Sequence, residues 1–121
     1  MSRPFAIGAA MQFTEKELGG PVVETENVVA VDSTPVRLVA GNGDRVGLVV
    51  INLGAANAYV ALSSVPSSSL GLLLGSTGGN MALTVRDDFT LTSREWWAVV
   101  PAGGPCNLYV LEYSRFTTNK V

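Results

Sequence analysis

The sequence of 121 residues has no histidine, one cysteine and only 15% charged residues. Without histidine there is no Ser-His-Asp or Cys-His nucleophilic site, no imidazole-bound zinc or iron, and no general base of the commonest kind at neutral pH. Jelly-roll enzymes that hold a metal through histidines are therefore disfavoured, and no cofactor is expected. A lone Cys106 excludes an internal disulfide, and with it a secreted disulfide scaffold. Its place in an apolar run marks it as a buried structural thiol. Basic residues fall singly, at Arg37, Arg45, Arg86 and Arg94, and net charge is -2, which argues against a nucleic-acid surface. No apolar run approaches the ~18 residues of a membrane helix. The opening MSRPFAIGAAMQF is a broken apolar run followed by Glu15, Lys16 and Glu17. It lacks the form of a signal peptide, so the expectation is a protein made and used without export.

What is present is apolar. Hydrophobic residues make up 47% of the chain, whereas its charged share falls well below the ~25% usual for a soluble domain. Small residues such as Gly, Ala and Ser could account for part of that deficit, and it favours burial against partners. Length allows one domain, and three zones separate within it. Residues 1–21 form an arm ending in Gly19-Gly20-Pro21, a stop signal. Part of it, 11–18, suits a short helix capped by Gly19, or the arm lies extended with a reach on the order of 65–70 Å. Phe5, Ile7, Met11 and Phe13 are too apolar for a free tail and are expected to dock on the body or on a neighbour. Residues 22–114 form the body, and 115–121 a short polar tail.

The body reads as almost wholly β. Strands are predicted at 22–31, 35–40, 44–53, 57–63, 70–74, 81–86, 88–92, 95–100 and 106–114, with DSTP, GNGD, GAAN, VPSSS, GSTGGN and PAGGP as turns. Short strands at intervals of roughly ten residues describe a sandwich or barrel. The fold expected is all-β: one β-sandwich or jelly-roll-like domain with an N-terminal arm. Alternation assigns the faces. Tyr109, Leu111 and Tyr113 share one face of the last strand. In 88–92, Phe89 and Leu91 point inward against Asp88, Thr90 and Thr92. The stretch GDRVGLVVINLGAANAYVAL at 43–62 reads as a hairpin with too much grease: Val46, Leu48 and Val50 lie on one face of its first strand, and Val49, Ile51 and Leu53 on the other. A two-layer sandwich covers only one of these faces. An arm, a loop or another subunit must cover the second.

Residues capable of chemistry are few. Asp87-Asp88, Glu95 and Glu112 are the candidates for a glycosidase-like carboxylate pair. Their places in turns and at strand ends suit ordinary solvated or turn-forming acids better. Asp32, Asp44, Asp87 and Asp88 do not make an Asp-rich calcium loop. SSVPSSS has no base beside it and reads as a loop tip. GSTGGN and GNGD lack the GK[ST] and following helix of a phosphate loop. Trp96 and Trp97 suggest a sugar platform, but neighbouring strand residues face opposite ways, so at most one could serve; core plus subunit interface ranks higher for the pair.

Val36-Arg37-Leu38, then Arg45-x-x-Leu48-x-Val50-x-Asn52-x-Gly54, then Tyr59-Val60-x-Leu62 form a progression that continues through LGLLLGS, DFTLT, EWWAVV, PAGGP and LYVLEYS. Over residues 34–113 this pattern resembles small β-rich virion proteins of tailed bacteriophages, above all capsid decoration (head cement) proteins. The resemblance implies a compact sandwich or jelly roll, commonly a homotrimer, bound to major capsid protein on the outside of the head and made in the host cytoplasm. It implies no catalytic, cofactor or metal residues, no nucleic-acid partner and no membrane. Val49, Ile51, Leu53, Trp96 and Trp97 are then the expected subunit contacts. Phe5, Ile7, Met11 and Phe13 are the expected capsid-binding arm. Alternatives are a head–tail, neck, tail or head-fibre base component; a carbohydrate-binding module using Trp96 or Trp97, Tyr59 and acidic loops; and, last, a histidine-free hydrolase.

Overall fold

The computed structural model describes residues 21–115. Eight strands form: β1 (Val22–Val31), β2 (Val36–Val39), β3 (Arg45–Asn52), β4 (Ala58–Ala61), β5 (Leu72–Leu74), β6 (Asn80–Thr84), β7 (Trp96–Val99) and β8 (Cys106–Arg115). They make two four-stranded antiparallel sheets, β1-β8-β3-β6 and β2-β7-β4-β5. Every connection except β4–β5 passes from one sheet to the other. This is the strand order of a jelly roll. The all-β sandwich expected from the sequence is the fold observed.

Alternation builds the core. Leu48 and Val50 of β3, Met81 and Leu83 of β6, and Leu108 and Val110 of β8 face Leu38, Ala58, Val60, Trp96 and Ala98 of the other sheet, all buried. Burial of this two-sided apolar layer is the main force holding the sheets together. The run 43–62 is not a hairpin. β3 and β4 belong to different sheets, and the turn between them crosses the sandwich. Asn52 shapes that crossing: its Oδ1 accepts from Gly54 N at 2.9 Å, and its Nδ2 donates to Ala56 O at 2.8 Å and Leu74 O at 3.0 Å.

The faces of β3 also depart from simple alternation. Its register against β8 shifts between Arg45 and Gly47, so Val46 is the extra residue of a β-bulge and Arg45 turns inward. Arg45 is only 2% exposed. Its guanidinium donates to Glu112 Oε1 at 2.8 Å, Thr92 O at 3.2 Å, Arg94 O at 3.0 Å and the Ala40 carbonyl. At this end of the sandwich the connecting segments turn carbonyls inward, and one forked cation satisfies them.

The expected strand at 88–92 does not form. β6 stops at Thr84 and is followed by one helical turn, α1 (Val85–Asp88), and a 3-10 segment over Phe89–Ser93. Local side-chain bonds outweigh β propensity here. Thr84 N donates to Asp88 Oδ2 at 2.9 Å, and the Thr84 hydroxyl accepts from Asp87 N at 3.3 Å as an N-cap. Three of its residues depart from expectation: Phe89 and Leu91 are exposed and Thr92 is fully buried, while Thr90 is exposed as expected. The Thr92 hydroxyl has no hydrogen-bond partner. Thr92→Val is therefore expected to raise stability by about 1 kcal/mol, read from the urea midpoint at unchanged m-value. A loss on substitution would mean that the hydroxyl is satisfied.

Candidate assembly surface

The outer face of the β1-β8-β3-β6 sheet is the most distinctive surface. Register places three rows across it: Val28–Tyr109–Ile51–Asn80, Glu26–Leu111–Val49–Ala82 and Glu24–Tyr113–Gly47–Thr84. An antiparallel sheet with a wet outer face normally alternates polar residues outward. Here the centre is Tyr109, Ile51, Leu111 and Val49, all half-buried, with Val28 53% exposed beside them. In these three rows charge is confined to the β1 margin. There Glu26 accepts the Tyr109 hydroxyl at 2.8 Å, and that bond holds the phenol above its usual pKa.

Gly47 interrupts this face. With no side chain between Tyr113 and Thr84, the surface sinks into a hollow of about 390 Å³ lined by Val22, Glu24, Val46, Val49, Ala82 and Tyr113, among others. A Cβ on Gly47 would lie 3.3 Å from Tyr113 Cγ, so the ring leans over the glycine. The hollow is apolar apart from its Glu24 and Thr84 margins.

The residues expected at a subunit interface do not share one surface. Val49 and Ile51 lie together on this outer face, half-buried. Leu53 is past the end of β3, where it is 57% exposed and its N–H bonds Asn107 O at 2.9 Å. Trp97 is half-buried on the other sheet, opposite Arg37 of β2 and Ala61 of β4. Trp96 is corrected: it is 4% exposed in the core, with its indole N–H on Leu91 O at 3.1 Å. A core position gives it no face to offer a neighbour or a sugar. Phe5, Ile7, Met11 and Phe13 lie outside the described residues.

The sequence reading passed over two features. One is the edge strand β5 with the loop before it, where Val65, Leu70, Leu72 and Leu73 are all at least half exposed, Val65 most at 65%. LGLLL is too apolar for a solvated edge, and that was the available signal. The other is the first half of β1. Val23, Thr25 and Asn27 take the inward parity yet are exposed, because β2 spans four residues against ten in β1.

The acidic candidates are occupied structurally. Glu95 pairs with Arg37 at 3.1 Å, Glu112 with Arg45 at 2.8 Å, and Asp44 with Arg115 at 2.9 Å. Asp32 accepts from Thr34 N in its own turn, and Asp87 and Asp88 bond Thr84. Among the described residues no group of three or more Cys, Asp or Glu is placed to hold a metal ion. A second hollow, lined by Asn57, Tyr59, Ser68 and Ser76, has no charged residue.

No protein family model matches this sequence, and neither does any curated protein. A solved structure of Bacillus endospore appendages, a family of disulfide-linked pili, is similar at a TM-score of 0.45 and 11% identity, covering 79% of this chain and 89% of that one. A likeness of that degree carries no inference about what this chain does.

Proposed function

We propose that this chain is a structural virion protein: a decoration subunit that self-associates, as a trimer, and binds the outside of a phage head to reinforce contacts between major-capsid subunits. The observation that carries the proposal is the apolar outer face of the β1-β8-β3-β6 sheet, centred on Val49, Ile51, Leu111 and Tyr109. Contiguous apolar surface of this kind marks an interaction site. The resemblance of residues 34–113 to phage virion proteins and the sparse charge support the same reading. In this role the protein acts by burial alone. Covering ~1,000 Å² of apolar surface contributes on the order of 25 kcal/mol gross, before the costs of association and ordering. Repetition over a symmetric shell converts modest single sites into firm attachment.

The test is retention of purified protein on capsids that lack it. Wild type is expected to bind, and Val49→Glu to bind at least about 100-fold more weakly, because an unpaired carboxylate would be forced into an apolar contact. Val49 faces outward and is only partly buried, so the same variant should lose no more than ~1 kcal/mol of fold stability. Wild-type protein that ignores such capsids would end the decoration reading. Localisation in an intact particle separates the head from the neck and tail.

A further inference from the structure

We infer that the hollow over Gly47 receives the ring of Phe89 from a second copy of this chain. Phe89 is the only exposed aromatic residue among the described residues, 72% open to solvent. Its backbone sits at φ 54 and ψ -129, close to the first central position of a type II′ turn, where glycine is the favoured residue. A phenylalanine held there is strained, and among the described residues its ring takes no part in the hydrophobic core. Strain kept at an exposed residue points to a use outside the subunit.

The hollow suits that knob in chemistry and place. An aromatic side chain buries on the order of 150–250 Å² when it is enclosed, and the Val46, Val49, Ala82 and Tyr113 walls around the Gly47 floor supply an apolar enclosure. Val46 lines both this hollow and the depression that Phe89 and Val85 border, so knob and socket lie side by side on each subunit. Adjacent copies can therefore each give one ring and receive one, in a pair or around a closed ring of three. The charges agree as well. Arg86 is exposed three residues before the knob, Asp87 and Asp88 are folded back on Thr84, and Glu24 stands on the socket margin. An arginine carried in with the knob meets a carboxylate.

This inference rests on the proposed reading only in requiring self-association. Light scattering after size exclusion, on the full chain over a dilution series, tests it. Wild type is expected to be oligomeric. Phe89→Ser and Ala82→Phe, which fills the socket from an exposed position, should each weaken association by roughly 30-fold or more, as for a buried aromatic anchor. Glu24→Arg should weaken it, and Arg86→Glu added to it should restore it. Phe89→Gly separates contact from fold: it should weaken association while raising the melting temperature, since glycine relieves the positive φ. Unchanged association in Phe89→Ser overturns the inference. So does dissociation by Phe5→Ser with Phe13→Ser but not by Phe89→Ser, which would give the hollow to the arm. A monomeric wild type overturns it too. An oligomer that responds as expected yet ignores capsids would sink the decoration reading and leave the socket standing.

Discussion

Arg45→Met is expected to cost about 3–5 kcal/mol of folding stability, the largest single effect on this molecule outside a cavity at the centre of the core. The guanidinium is 2% exposed and holds Glu112 and the carbonyls of Ala40, Thr92 and Arg94. Methionine fills most of the volume but donates nothing, so three inward carbonyls lose their partner together. Glu112 keeps some water, its side chain being 24% exposed, and suffers less. Glu112→Gln, which retains an acceptor for Arg45, should therefore cost only about 1 kcal/mol. For a domain of this size the Arg45 loss corresponds to a fall in Tm of roughly 12–20 °C. Calorimetry decides the matter: a loss below ~1 kcal/mol would mean that the carbonyls find water or other donors once the fork is gone.

Asn52→Leu should follow closely, at about 3 kcal/mol. The side chain is fully buried where the chain leaves one sheet for the other. Leucine would remove the partner of the Gly54 N–H and of the Leu74 carbonyl, and leave the Ala56 carbonyl only the weak Cys106 thiol donor at 3.4 Å. Asn52→Asp should be at least as harmful at neutral pH, since a carboxylate oxygen would face two carbonyl oxygens where an amide now donates. Urea unfolding of both variants provides the check. A leucine variant as stable as wild type would show that the crossing is held by packing alone. Gly54 belongs to the same device, because a Cβ there would come within 2.9 Å of the Cys106 Cα. The Asn52-x-Gly54 spacing in the sequence thus has a physical cause: a side chain that ties the turn, and a residue small enough to pass the last strand.

Much of the body was legible because alternation and turn residues are local signals. β1 over Val22–Val31 and β8 over Cys106–Arg115 begin where the pattern placed them, and Tyr109, Leu111 and Tyr113 share the outward face as the alternation required. Failures occur where a specific side-chain bond, near in the chain or far, overrides the pattern. DFTLT alternates like a strand, but Asp87 and Asp88 reach back to Thr84 and wind it into helical turns that bridge the two sheets. Arg45 is one more singly placed basic residue in the sequence until a bulge turns it toward carbonyls from two other segments. Trp96 and Trp97 were separable by parity, but which of them faced inward depended on the layer beneath β7.

The sequence by itself determined the class of this protein: all-β, two-layered, without histidine chemistry or an internal disulfide, and with more apolar faces than one sandwich can cover. Periodicity and composition suffice for those conclusions, since each depends on neighbours two residues away or on residue types that are absent. Only the tertiary structure decided which sheets pair, that the 43–62 stretch crosses the sandwich, and that its surplus apolar face lies beside Tyr109 and Leu111 of β8 and the hollow over Gly47. Those outcomes depend on hydrogen bonds and contacts between residues tens of positions apart. Register and bulges select among such partners, and no local pattern encodes the choice.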